Sequence, residues 1–291
     1  MSKQSASFTP LHTWLPHHLL SLFIGWLSNW RWQWGKNRAI RWFIKHFGVD
    51  MTEAEQPDYT RYATFNDFFT RHLKSSLRPI DPNPRTIVSP VDGCVSEIGQ
   101  LHGKKLLQAK GKWYDLIALL GGDHQQAALF EEGFFLTAYL APKDYHRIHM
   151  PIEGRLLKMT HVPGRLFSVN AQAVLHVNYL FARNERVVCL FETAVGPMVM
   201  VIIGAMLVGG IVTVWHGRVT PPTRKKIRSF TYIEKNINFS RGEEIGHFKM
   251  GSTVIVLFPK NSIQWGNHLK TQVHLKFGEI IADSSPETYR R

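Results

Sequence analysis

Cysteine is almost missing from these 291 residues: Cys94 and Cys189 are the only two, and no CxxC pair occurs. Neither a disulfide framework nor a Cys-rich zinc site is implied, and both read as small core residues suited to a reducing compartment. Long apolar runs are missing as well. The longest lie around Leu22–Ile24 and at Val199–Val208, below the ~18 residues that a spanning helix needs. The opening of the chain has no signal-peptide pattern, because Pro10, Pro16 and three histidines interrupt it, so synthesis in the cytosol is expected. Acidic residues are scarce: 22 Asp and Glu face 35 Lys and Arg, a formal charge of +13. That excess favours an anionic partner, whether nucleic acid, an acidic ligand or a negatively charged membrane. No internal repeat or low-complexity segment occurs, and the 44% apolar share supplies a substantial core.

The first fifty residues have a different texture. They hold six of the nine tryptophans (Trp14, Trp26, Trp30, Trp32, Trp34, Trp42), with six basic residues against one acid, Asp50. Leu15, Leu19, Leu22, Phe23, Trp26, Leu27 and Trp30 recur at helical spacing, and a second helix would place Ile40, Phe43, Ile44 and Phe47 on one side. Aromatic, apolar and basic residues together describe helices lying in a membrane interface. A helical subdomain packed on the core is the alternative, and the two can hold for different faces. A third helix is predicted from Thr64 as N-cap, with Asp67 at N3, through Phe68, Phe69 and Leu73, ended by Arg78-Pro79.

From Ile87 onward the sequence changes to short β-rich runs broken by Gly and Pro, among them Val195–Ile211, Val212–Trp215 and Thr253–Phe258. The expected class is α+β: a β-rich catalytic body with an N-terminal amphipathic helical region, divided near residues 1–80 and 81–291.

Three segments carry candidate chemistry. Ser89-Pro90-Val91-Asp92-Gly93 sets an acid in a turn entering a strand, ordinarily a turn former. Tyr139 to Pro151 contains His146 and His149, three apart, which could bind metal, act as bases or fill polar niches. Gly246-His247-Phe248-Lys249-Met250-Gly251-Ser252-Thr253 places a Gly-Ser-Thr turn before an apolar strand, a commonplace arrangement alone.

Together and in this order, they resemble the bacterial phosphatidylserine decarboxylase family, whose proenzymes carry a Pro-Val-Asp-Gly turn, a Tyr-His-Arg-x-His-Met-Pro segment and a Leu-Gly-Ser-Thr cleavage motif. Asn66-Asp67-Phe68-Phe69-Thr70-Arg71, Val208-Gly209-Gly210-Ile211, Thr220-Pro221-Pro222 and Arg241-Gly242-Glu243-Glu244 extend the resemblance over nearly the whole chain. Met250 stands where the family usually has Leu, a swap of similar volume. The first ten residues carry no resemblance.

The resemblance implies self-cleavage between Gly251 and Ser252 into a beta chain, 1–251, and an alpha chain, 252–291. Ser252 would attack the Gly251 carbonyl with His149 as base and Asp92 as its orienting acid, the logic of a Ser-His-Asp triad. Ser252 would then become a covalent pyruvoyl group that forms a Schiff base with phosphatidylserine, releasing CO2 and phosphatidylethanolamine. His146 is the candidate to assist decarboxylation or protonation, as a group titrating near neutral pH. Phe167-Ser168-Val169-Asn170 resembles a substrate-contacting loop, with Phe167, Ser168 and Val169 as the substrate-binding candidates. The resemblance further implies a homodimer of cleaved units, peripheral on the cytoplasmic face of the cell membrane, with no metal and no nucleic acid. A rival zinc hydrolase would gather His146, His149 and His161 with Asp92, but HExxH is absent and Gly251-Ser252 is left unexplained. A basic nucleic-acid module fits the charge, yet no RNP, zinc-finger or helix-turn-helix signature occurs.

Overall fold

A computed structural model describes residues 25–109, 111–205, 210–220, 226–249 and 252–285, with only the backbone of Ser252. Its centre is a nine-stranded antiparallel sheet. In chain order these strands are β1 (Gly93–Gln100), β2 (Phe134–Leu140), β3 (Gly154–Val162), β4 (Arg186–Thr193), β5 (Gly196–Gly204), β6 (Arg228–Thr231), β7 (Asn238–Phe239), β8 (Ser252–Phe258) and β9 (His274–Leu275). They run across the sheet as β6-β3-β4-β5-β8-β2-β1-β9, with β7 also paired to β3.

β8 therefore lies between β5 and β2. Val254 to Phe258 and Met198 to Ile203 are fully buried, which explains their unbroken apolar sequence: alternate residues serve opposite faces, and both faces are covered. Val254, Val256 and Phe258 join one core with two small sheets. One of these is formed by Thr86–Val88, Ile280–Ser284 and Ile263–Trp265; the other by Gly217–Arg218, Ile211–Thr213, Glu244–Phe248 and Arg147–His149. Ile255 and Leu257 face a second core under short helices at 116–119, 124–128, 171–176 and 180–183.

The sequence-based helix through Ile40 and Phe47 is present as α1 (Gln33–Phe47), closed by Gly48 in the left-handed region at φ 70°. The Leu15–Trp30 helix lies mostly outside the described residues; Gly25 to Leu27 are helical. α2 (Phe65–Phe69) starts at Thr64, whose hydroxyl accepts from the Asp67 amide at 3.1 Å. It stops before Leu73 because the chain turns into an antiparallel bridge between Leu73 and Ala54. Ile40, Phe43, Val49, Phe68 and Phe69 form a separate small core. By contrast, Trp26, Trp30, Trp32, Trp34 and Trp42 are each more than half exposed.

Candidate active site

Asp92 ends the turn that leads into β1. Gly93 follows because a Cβ there would meet the Tyr139 carbonyl at 2.7 Å. The Asp92 carboxylate is nearly buried and charge-paired: Arg78 Nη2 donates to Oδ2 at 2.7 Å, Arg78 Nε donates to Oδ1 at 3.3 Å, and the Phe277 amide donates to Oδ1 at 2.7 Å. Arg78 also reaches Glu53 at 2.8 Å, which in turn binds Lys276 at 2.9 Å. Burial works against the Arg78 charge, but Asp92 and Glu53 more than offset it and hold its pKa above the usual value.

His149 ends the strand Arg147–His149. Its ring is stacked on Phe277, centroids 3.7 Å apart, and lies near Tyr145. Nδ1 is 2.9 Å from the Gly242 carbonyl, which can only accept, so Nδ1 carries the proton. Nε2 therefore presents its lone pair, here accepting a hydrogen bond from the Tyr145 hydroxyl at 3.1 Å. Burial pushes the imidazole down to about 4, only partly countered by Gly242, Glu244 and Asp92, so the ring is neutral at neutral pH. That is the state a general base requires. The direct Asp92 hydrogen bond expected for a triad is replaced by the Gly242 carbonyl. Asp92 reaches His149 through its charge and through Phe277, which it holds by the backbone. Gly242 can hold its position because it sits at φ 82°, where a Cβ would strike Ile80 at 2.7 Å.

His146 is fully buried and stacked on Phe69 of α2, centroids 4.0 Å apart. Neither ring nitrogen makes a well-formed hydrogen bond. Burial, then the neighbouring Arg71 cation, pushes its pKa down to about 3, against a weaker pull from the Pro142 and Ala141 carbonyls. Titration near neutral pH, expected from the sequence, is thus corrected: the ring stays neutral because it is buried and beside a cation. Arg71 is itself buried, donating to the Lys143 carbonyl at 2.9 Å, with Nε and Nη1 unpartnered.

Ser252 opens β8 opposite Leu140 of β2 and Gly204 of β5. Gly251 and Met250 lie outside the described residues. The chain approaches them along Glu244–Phe248, whose partner strand is Arg147–His149, and the Phe248 amide donates to the His146 carbonyl at 3.0 Å. On the other side, Cys94 pairs with Tyr139, so Asp92-Gly93 and Ser252 flank the same end of β2. The His149 amide donates to the Pro90 carbonyl at 2.9 Å, drawing the histidine strand onto the Asp92 turn.

Phe167 to Val169 lie on the far side of β5. Val169 is buried, and Arg183 covers the Phe167 ring at 4.8 Å. Asn170 then caps the helix Ala171–His176 through the Ala173 amide at 2.9 Å. His161, invoked by the zinc reading, is buried on Glu185 at 3.1 Å. Among the described residues, no group of three or more His, Cys, Asp or Glu has metal-holding geometry. The sequence suggests no part in the chemistry for Tyr145, Gly242, Phe277 or Arg78. Tyr145 and Gly242 stood inside family-like segments, whereas Phe277 and Arg78 left no local signal.

The family model described as phosphatidylserine decarboxylase matches residues 65–283, and a second, described as PSD, matches residues 7–48. The chain is 56% identical to the phosphatidylserine decarboxylase proenzyme of Coxiella burnetii over 277 residues, 95% of this chain and 98% of that one. It is 50% identical to the proenzyme of the same name from Hahella chejuensis, covering 91% of this chain and 90% of that one. With that of Stutzerimonas stutzeri it shares 48% identity, covering 93% and 92%.

Proposed function

This chain belongs to the phosphatidylserine decarboxylase family, and from that membership we propose that it is a proenzyme that cuts itself before Ser252 and then converts phosphatidylserine to phosphatidylethanolamine and CO2. The observation that carries the reading is the neutral His149, with an unprotonated Nε2, on the strand beside the one that delivers the chain to Ser252.

In the cleavage step, His149 Nε2 takes the Ser252 hydroxyl proton in place of the Tyr145 contact. The serine oxygen bonds to the Gly251 carbonyl carbon, the C–N bond breaks, and the proton passes to the Ser252 nitrogen, leaving an ester. Elimination releases Gly251 as a carboxylate and leaves dehydroalanine at 252; water then replaces the nitrogen, which departs as ammonia. Asp92, held by Arg78 and Phe277, supplies the negative charge that favours the transient imidazolium.

The residues present suit a pyruvoyl group at position 252. Ser252 pairs with Gly204, which puts no side chain beside it; a Cβ there would lie 3.4 Å from the Glu185 carbonyl oxygen and 3.5 Å from Leu166 Cδ2. Such a group supplies an electrophilic carbonyl for the substrate amine and an electron sink for CO2 loss. Around it, His146 offers a neutral imidazole that can orient the substrate carboxylate without ion-pairing it. Phe167-Ser168-Val169 line the approach of the headgroup.

The substrate is a membrane lipid. No helix among the described residues is long and apolar enough to cross a membrane. The exposed tryptophans near Arg31, Arg38, Arg41 and Lys45 support peripheral attachment to the anionic cytoplasmic face of the cell membrane. Two units, 1–80 and 81–291, and a homodimer of cleaved αβ units complete the reading, the first supported by the separate small core and the second by family resemblance.

Intact mass spectrometry of purified protein tests it. Two fragments are expected, divided at Gly251–Ser252, the smaller carrying an N-terminal ketone, together with phosphatidylethanolamine formation from phosphatidylserine. An active preparation consisting of one uncut chain would refute it.

A further inference from the structure

Asn184 is fully buried, and its amide has three partners. Oδ1 accepts from the Phe167 amide at 3.0 Å, while Nδ2 donates to the Phe167 carbonyl at 2.9 Å and to the Gly204 carbonyl at 3.0 Å. A side chain that binds both the N–H and the C=O of one residue acts as a strand partner for it, so Phe167 is fixed in position and orientation.

The Gly204 end is equally constrained. Its amide donates to the Glu185 carbonyl at 2.9 Å and its carbonyl accepts from Asn184, so both polar groups turn away from β8. Gly204 and Ser252 are therefore a non-hydrogen-bonded pair, the closer kind, with Cα atoms about 4.5 Å apart. One buried amide thus spans from the loop Phe167–Val169 to the nearest backbone neighbour of Ser252.

The support behind Asn184 is rigid. Arg186 is buried and donates to the carbonyls of Asn184 at 2.8 Å, Ala182 at 2.8 Å, Leu119 at 2.6 Å and Ala118 at 2.6 Å. On the loop side, Gly164 passes so close that a Cβ would lie 2.5 Å from the Arg183 carbonyl. The Arg165 amide donates to that carbonyl and the Glu185 amide donates to the Arg165 carbonyl, both at 2.8 Å.

We propose that Asn184 is a positioning residue for the decarboxylation: it sets the distance between the loop that holds the phospholipid headgroup and the reactive group at position 252. This rests on the reading that Phe167 to Val169 contact the substrate. Asn184→Ala removes all three bonds. Asn184→Asp keeps the shape but turns an oxygen toward two carbonyl oxygens.

The test is steady-state kinetics on short-chain phosphatidylserine, with rates normalised to pyruvoyl content, in the wild type, both Asn184 variants and Phe167→Ala. The expected result is a KM at least tenfold higher in both Asn184 variants, with kcat per pyruvoyl changed less than KM and the fragments still formed. An unchanged KM, a loss confined to pyruvoyl content, or failure of both variants to fold overturns the proposal, because Asn184 would then serve only the fold. Phe167→Ala separates the two readings. If it leaves KM unchanged, the loop reading itself is wrong; if it alone raises KM, only the role of Asn184 is wrong.

Discussion

The imidazole of His149 lies flat on the ring of Phe277, centroids 3.7 Å apart at 17°, while the amide of the same Phe277 donates to Asp92. Phe277 falls in the segment after Ser252. On the proposed cut before Ser252, the smaller fragment walls the histidine and grips the carboxylate, both of which belong to the larger one.

His149→Ala should leave the chain uncut for hours under conditions where the wild type is fully cleaved, and Ser252→Ala should stay intact with no turnover. Because burial holds His149 near 4, its neutral form dominates above that pH. Self-cleavage should rise as pH climbs through about 4 and level off well below 6.5, where a free imidazole would still be titrating. Pulse-chase gels across pH give the profile. A midpoint near 6.5 would contradict the buried base.

Arg78→Ala removes the cation from a pair that is almost wholly buried on both sides, leaving Asp92 charged and unpaired. Breaking such a pair from one side costs about 3–5 kcal/mol. Urea unfolding in the Ser252→Ala background should show a loss of this order, and cleavage in the otherwise normal chain should slow. A loss below about 1 kcal/mol would show that the pair contributes no more than a surface bridge.

His146 and His149 both have folded pKa values depressed below the ordinary 6.5. Between about 6.5 and 4 the unfolded chain binds protons that the folded chain refuses, so stability is fully present above that window and falls as pH drops through it. The slope is at most about 1.4 kcal/mol per pH unit for each histidine. His146→Gln in the uncut Ser252→Ala background should flatten the acid-side decline of the melting temperature. In the cleavable chain, His146→Ala should still cut while turnover falls at least tenfold. Normal turnover would remove His146 from the reaction.

Trp26→Ser with Trp30→Ser should weaken co-sedimentation with phosphatidylglycerol vesicles, yet leave activity on a soluble short-chain substrate within about twofold. High salt should release the wild type only partly, since screening weakens the attraction of basic residues, worth about 1 kcal/mol each near the surface, and leaves apolar burial intact. Unchanged vesicle binding by a folded variant would make these tryptophans irrelevant to attachment.

The α+β class, α1 and the strand after Ser252 were legible because they depend on local periodicity and on a run of residues that bury both faces. Asp92, His146, His149 and Ser252 stand out as candidates through the family-like segments around them. Their electrostatics were not. His146 reads as an ordinary histidine until Phe69 and Arg71, some 75 residues earlier, are folded against it. Likewise, the Asp92–His149 contact gave way to Gly242 and Phe277 because a backbone carbonyl and a ring stack have no sequence signature. The sequence pattern runs past the end of helix α2 because that end is set by the distant Ala54 bridge rather than by a breaker.

β8 sits in the middle of the largest sheet, and Ile263–Trp265, His274–Leu275 and Ile280–Ser284 enter two different sheets beyond it. The proposed cut before β8 would turn a unimolecular folding problem into a bimolecular one, with the strand order around β8 kept. Once such fragments separated, reassembly would depend on their concentration, and a position 252 converted to pyruvoyl would have no serine from which to start again. Maturation by that route would be a one-way ratchet: the precursor could unfold and recover, whereas the mature enzyme would last as long as its unfolding barrier allows, and its working lifetime would be a rate rather than an equilibrium.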